Sequence, residues 1–163
     1  PAVARRYMES FAFAHAQHTE RKRTAFVAKT LAERPLGLPD LNIEHLRVLT
    51  DDTGVLQHAR YTVPRYDAGY CLDDNARALL AMTFIEDTGS AERSEVRGLS
   101  SRYLAFVGHA FNKDTGRFRN FMTYTREWSE ATGSEDSHGR ALWALGSAAR
   151  HHPSSWVRVQ LCT

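Results

Sequence analysis

The sequence predicts an all-α fold. Apolar residues recur at helical spacing in three segments bounded by turn residues, 75–86, 92–111 and 136–151. Extended-type alternation is confined to two short stretches between them, 55–63 and 117–128. A constellation also occurs twice, 62 residues apart. Asp52-Thr53-Gly54, Leu56, His58 and Asp73-Asp74 in the first copy answer to Asp114-Thr115-Gly116, Phe118, Asn120 and Glu135-Asp136 in the second. Arg77-Ala78-Leu79 and Arg140-Ala141-Leu142 follow, slipped by one residue. Repetition at such a period marks stacked supersecondary units. Each unit here places two carboxylates just before a helix.

Element by element, residues 2–33 carry Val3, Tyr7, Phe11 and Ala14, then Phe26, Val27 and Leu31, at helical spacing. They read as one long helix or two, closed by Pro35. Residues 36–40, with Gly37 and Pro39, are a linker, and 43–49 a short apolar-bearing turn. Asp51-Asp52-Thr53-Gly54 is a tight turn, since glycine tolerates positive φ and aspartate bonds its own following backbone. Residues 55–63 read as a short strand and 64–70 as loop. The helix over 75–86 takes Asp73 or Asp74 as N-cap, because a carboxylate accepts bonds from the orphan N–H groups of a first turn. Ala76, Leu79, Leu80 and Phe84 form its buried stripe, and Thr88-Gly89 closes it. The helix over 92–111 turns Val96, Leu99, Tyr103, Leu104, Val107 and Phe111 inward. Residues 112–116 are a turn and 117–128 a hairpin-like loop. The last helix buries Ala141, Leu142, Leu145 and Ala148 and ends before Pro153.

At 163 residues the chain can bury a core of moderate size. A formal net charge of +2 gives no reason to expect nucleic acid as a partner. The basic run Arg21-Lys22-Arg23 sits on a helical pattern and reads as a solvated face. Two cysteines, Cys71 and Cys162, make neither a metal pair nor a disulfide framework. No apolar run reaches about 18 residues, so no membrane span is expected. The first residues lack a signal-peptide pattern, and a cytoplasmic protein is the expectation. The chain opens on Pro1 and closes on an unpartnered run, 156–163, which reads as a piece of something longer.

Two loops stand out, 50–72 and 112–133, each about 20 residues or more. Loops of that length in compact domains are mostly functional. Both lead into a helix start that carries acids. Asp73, Asp74, Glu135 and Asp136 are the catalytic candidates. Each has a second reading as a cap or as a charge favoured by the helix dipole. Adjacent acids cannot both cap, so one of each pair is left for a ligand. Two carboxylates from different elements suit glycoside chemistry, one protonating the leaving oxygen and the other activating water or attacking. Carboxylates also bind sugar hydroxyls without catalysis. Arg77 and Arg140 either pair within their helices or orient a substrate oxygen. His58 and His138 are lone histidines, structural or ligand-contacting, and no histidine pair has metal-ligand spacing. Tyr61, Tyr66, Tyr70, Tyr124 and Trp128 populate the loops, as packing or as platforms for a pyranose face. Asn120 stands in the second copy where His58 stands in the first. The substrate-binding candidates are thus His58, Tyr70, Arg77, Asn120, Trp128, His138 and Arg140, with no metal and no cofactor. Cys71, with no adjacent base, reads as a small packing residue.

HLRVLTDDTGVLQHARYTVP (45–64), GYCLDDNARALL (69–80), GRFRNFMTYTREW (116–128) and GSEDSHGRALWALG (133–146) together resemble a bacterial helical domain. It follows a sugar-nucleotide glycosyltransferase domain and is similar to the six-hairpin (α/α)6 glycosidase toroids. The resemblance covers roughly 40–150. Leu72 departs from the pattern, which has a small polar residue there. The resemblance implies a truncated, partial toroid of two hairpin units and part of a third. It implies that 1–35 is a helical tether or the end of a preceding glycosyltransferase domain, and that 36–163 is the N-terminal part of the toroid. The implied activity is carbohydrate-directed, on or with a glycan or sugar substrate. The alternatives are a non-catalytic glycan-binding or scaffold module and a sugar epimerase using His58 and His138 as acid and base.

Overall fold

The computed structural model describes residues 2–20, 41–88 and 93–151. The chain divides into two units, Pro1–Asp40 and Leu41–Thr163. In the first, α1 (Ala2–Glu20) is a single helix whose side chains are all exposed from Val3 to Ala16. The helical pattern over 21–33, the linker, Gly89 and the tail with Pro153 and Cys162 lie outside the described residues.

The second unit is mostly helical. It runs α2 (Glu44–Val48), β1 (Ala59–Arg60), β2 (Val63–Pro64), a 3-10 turn (Tyr66–Ala68), β3 (Tyr70–Cys71), α3 (Leu72–Thr88) and α4 (Arg93–Ala110). Then come β4 (Phe111–Asn112), β5 (Arg117–Phe118), β6 (Phe121–Met122) and α5 (Glu135–His151). The buried stripe of α3 is built largely of leucine, alanine and methionine, all strong helix formers. It buries Leu72, Ala76, Leu79 and Met82 completely or nearly so. Helix α4 contributes Val96, Leu99, Tyr103, Phe106, Val107 and Ala110 to the same core. Helix α5 buries a stripe of small residues, Ser137, Ala141, Ala144 and Ala148.

Helix α3 packs against both α4 and α5. Arg97, early in α4, donates to Glu86, late in α3, at 2.8 Å, so those two helices form an antiparallel hairpin. Helices α3 and α5 run parallel. Arg140 meets Asp73 at 2.7 Å near their N-termini, and His151 meets Asp87 at 3.7 Å near their C-termini.

The repeat is visible in the backbone. Thr50 bridges Val55 across Asp51-Asp52-Thr53-Gly54, and 62 residues later Asn112 bridges Arg117 across Lys113-Asp114-Thr115-Gly116. The copies are then stitched together: β3 pairs antiparallel with β6, Tyr70 opposite Met122 and Cys71 opposite Phe121. The loop entering α3 is thereby zipped to the loop entering α5.

Three expectations change. Helix α3 begins at Leu72, so Asp73 and Asp74 sit in its first turn rather than at its cap. The capping oxygens come from the other copy: Leu72 N donates to Asn120 O at 2.7 Å and Asp73 N to Asn120 Oδ1 at 3.3 Å. Leu72, the first residue of α3, is fully buried. The strand read over 55–63 is instead a hairpin, β1 on β2, turning at Tyr61 with φ 57°. Phe84, Phe111 and Leu142, read as inward, are exposed: Phe84 sits at the His151 end of the α3–α5 contact, Leu142 lies off the buried small-residue stripe of α5, and α4 ends at Ala110.

Candidate functional site

The first turns of α3 and α5 bring Asp73, Arg77, Asp136 and Arg140 together. Arg77 donates to Asp73 Oδ2 at 2.5 Å, one turn back in α3. Arg140 Nε lies 2.9 Å from Asp136 Oδ2 and 2.7 Å from Asp73 Oδ1. Its N–H is aligned on Asp136, so Asp73 Oδ1, buried and without an aligned donor, shares the charge but not the proton. Asp136 and Asp73 together hold the Arg140 guanidinium above its ordinary pKa. Asp73 is the least exposed member, its side chain 18% accessible. Glu135 points elsewhere: at 86% side-chain exposure it pairs with Arg117 of β5 at 2.6 Å. Three of the four acids are thus committed to arginines, and one of those arginines ties the two copies together.

Asp74 is different. Among the described residues its carboxylate has neither a hydrogen bond nor an ion pair, although it is half-buried. Burial first, then the neighbouring Asp73 charge, pushes its pKa up; Arg77 and His58 oppose this. It stands at the edge of a cleft of about 360 Å³, lined also by Leu46, Leu49, Val55, Leu56, Gln57, Arg77, Ala78 and Ala81. The cleft lies between α2, the segment following the first DTG turn, and the outer face of α3. Asp74 and Arg77 were legible in the sequence, whereas the aliphatic side chains that complete the cleft carry no chemistry and gave no signal.

The remaining candidates separate by burial. His58 is exposed and acts electrostatically on both Asp74 and Asp67. Tyr70, read as a sugar platform or packing, is 1% exposed. Its hydroxyl donates to Asp51 Oδ2 at 2.5 Å, and its ring packs on Phe106 and Tyr124. It has no face left for a ligand. Asn120 is buried and serves as the cap of α3, its Oδ1 also accepting from the Cys71 thiol at 3.2 Å. Trp128 is half-buried between Phe106 and His109, with the Arg119 guanidinium 5.6 Å from its ring centroid. His138 packs on Phe118 at 5.3 Å, in surroundings unlike those of His58. Of the loop tyrosines, Tyr61, Tyr66 and Tyr124 are exposed, and the rings of Tyr66 and Tyr124 sit 4.7 Å apart and join the loops of the two copies. Backbone bonds connect this pair to the cleft: Gly69 N donates to Tyr66 O, and Gln57 N to Gly69 O.

Sequence reading missed Asn75, which is fully buried and entirely structural. Its Oδ1 accepts from Val55 N at 2.9 Å, and its amide donates to Val55 O and Cys71 O. It clamps the first DTG turn to α3. Among the described residues no group of three or more His, Cys, Asp or Glu gathers to hold a metal. No described helix is long and apolar enough to cross a membrane. No family model, curated protein or solved structure matches the chain.

Proposed function

We propose that the unit Leu41–Thr163 is a glycan-binding module, part of an (α/α)6 toroid that serves a glycosyltransferase partner. Asp74 is its central polar contact and the Tyr66–Tyr124 pair a stacking surface. One observation carries the reading: among the described residues Asp74 is the acid at the helix N-termini without a hydrogen bond or ion pair, and it borders a cleft. A free carboxylate accepts bonds from vicinal sugar hydroxyls. Two-carboxylate hydrolysis needs a second free acid, whereas Asp73, Asp136 and Glu135 are held by Arg77, Arg140 and Arg117.

A second reading, hydrolysis with Asp74 as general acid, is favoured by the upward shift of its pKa, the direction a proton donor requires. Titrating the full chain against a glycan panel, with and without Asp74→Asn, separates the two. A binding module loses roughly tenfold to a hundredfold in affinity, the effect of one hydrogen bond to a charged group, and releases no sugar. A hydrolase releases reducing sugar, and the variant abolishes the release while still binding. Absence of binding to any glycan overturns both.

A further inference from the structure

We infer that the cleft beside Asp74 takes the apolar aglycone of a glycoconjugate, so that the ligand is a sugar carried on an aliphatic group. This rests on the glycan reading above and specifies its ligand class. The cleft walls are aliphatic: Leu46 and Leu49 from α2 and its exit, Val55 and Leu56 from the following segment, Ala78 and Ala81 from α3. No aromatic ring lines it, so it offers no platform for a pyranose. Its polar groups, Asp74, Arg77 and Gln57, are the only ones in the lining. The volume of about 360 Å³ exceeds what a short alkyl chain occupies. A ligand with hydroxyls at one end and methylenes at the other matches this division: hydroxyls on Asp74, chain along the leucines and alanines. A sugar lying wholly inside would leave its hydroxyls against aliphatic walls without partners, which is unfavourable.

The test pairs methyl with hexyl β-glycosides of glucose, galactose, mannose and N-acetylglucosamine, titrated calorimetrically into the full chain below micelle-forming concentrations. Each buried methylene tightens binding roughly fourfold, and ordering the chain in an open cleft gives part of that back. Hexyl glycosides are expected to bind about tenfold to a hundredfold tighter than their methyl partners. Ala81→Leu, which fills the cleft from a solvent-accessible helix position, should bring the ratio of hexyl to methyl affinity down to about one. Equal affinity within every pair, with measurable binding, overturns the aglycone inference and leaves the glycan reading standing. Hexanol binding as tightly as the hexyl glycosides overturns the glycan reading, because the sugar then contributes nothing. No binding by any glycoside overturns both.

Discussion

Asp74 and Asp73 are adjacent and chemically identical, yet the fold sets them apart. Asp73 lies between two guanidiniums, whereas Asp74 is half-buried and has no hydrogen-bond or ion-pair partner among the described residues. Arg77 lies within one turn of both acids, and the reach of Arg140 from α5 to Asp73 adds a second, non-local pull toward that one. The acids themselves were legible; their division of labour was not. The same holds for Tyr70, whose loop position suggested a ligand contact while its burial follows from β3 pairing with a strand 51 residues away. Asp74 also predicts a pH signature. Its folded pKa is raised above the unfolded value, so its charge opposes folding. That penalty is absent below the unfolded carboxylate range, about pH 3.9, where Asp74 is protonated in both states. It grows as pH rises toward the folded pKa and is complete above it. Asp74→Asn is therefore expected to raise the melting temperature at about pH 7 and leave it unchanged near about pH 3. A melt lowered at neutral pH would show the carboxylate to be structurally stabilising instead.

The two DTG turns show how one motif can be kept for two physical reasons. Gly116 has φ +66°, and a Cβ there would meet nothing within 4 Å. Gly54 is not in the left-handed region, but a Cβ would lie 2.4 Å from Asn75 Oδ1 and 3.1 Å from the Phe106 ring. Asn75 cannot step aside without losing its bonds to Val55 and Cys71. Gly116→Ala should thus cost about 1–2 kcal/mol, the strain of a left-handed alanine. Gly54→Ala should cost more, about 2–4 kcal/mol, from overpacking plus a disrupted buried amide. Urea denaturation of the two variants checks the order; a larger loss for Gly116→Ala would refute the assignment. The three long helices were legible because their apolar spacing is local and sustained. The strands were not, since each is two residues long and exists through its partner. The cap of α3 was misread for the same reason. A carboxylate just before a helical pattern is the ordinary cap signal, but Asn120, 47 residues beyond Asp73, supplies it.

Among the described residues of the second unit, α3 packs against the helices α4 and α5, while α5 packs against the one helix α3 and touches β5. The face of α3 bearing Leu80, Phe84 and Asp87 meets α5: the Phe84 ring lies 6.3 Å from that of His151, and Asp87 pairs with His151. By the 62-residue repeat, the equivalent positions of α5 are Leu142, Gly146 and Ala149. Leu142 is 54% exposed and its neighbour Trp143 58%, on a helix that otherwise buries alanines. Such contiguous apolar exposure drives association. The full chain is expected to self-associate in sedimentation velocity and to bind a hydrophobic dye. Replacing Leu142 with Lys and Trp143 with Gln should shift the distribution toward monomer and reduce dye binding. The melting temperature should hold or rise, because neither side chain belongs to the core of α3, α4 and α5. A variant that associates as strongly as the parent would move the sticky surface elsewhere on the molecule. A variant with a sharply lower melt would mean that Trp143 packs in solution, against its exposure in the structure. The loss of association with stability retained is therefore the outcome that identifies the Leu142–Trp143 side of α5 as the associating surface.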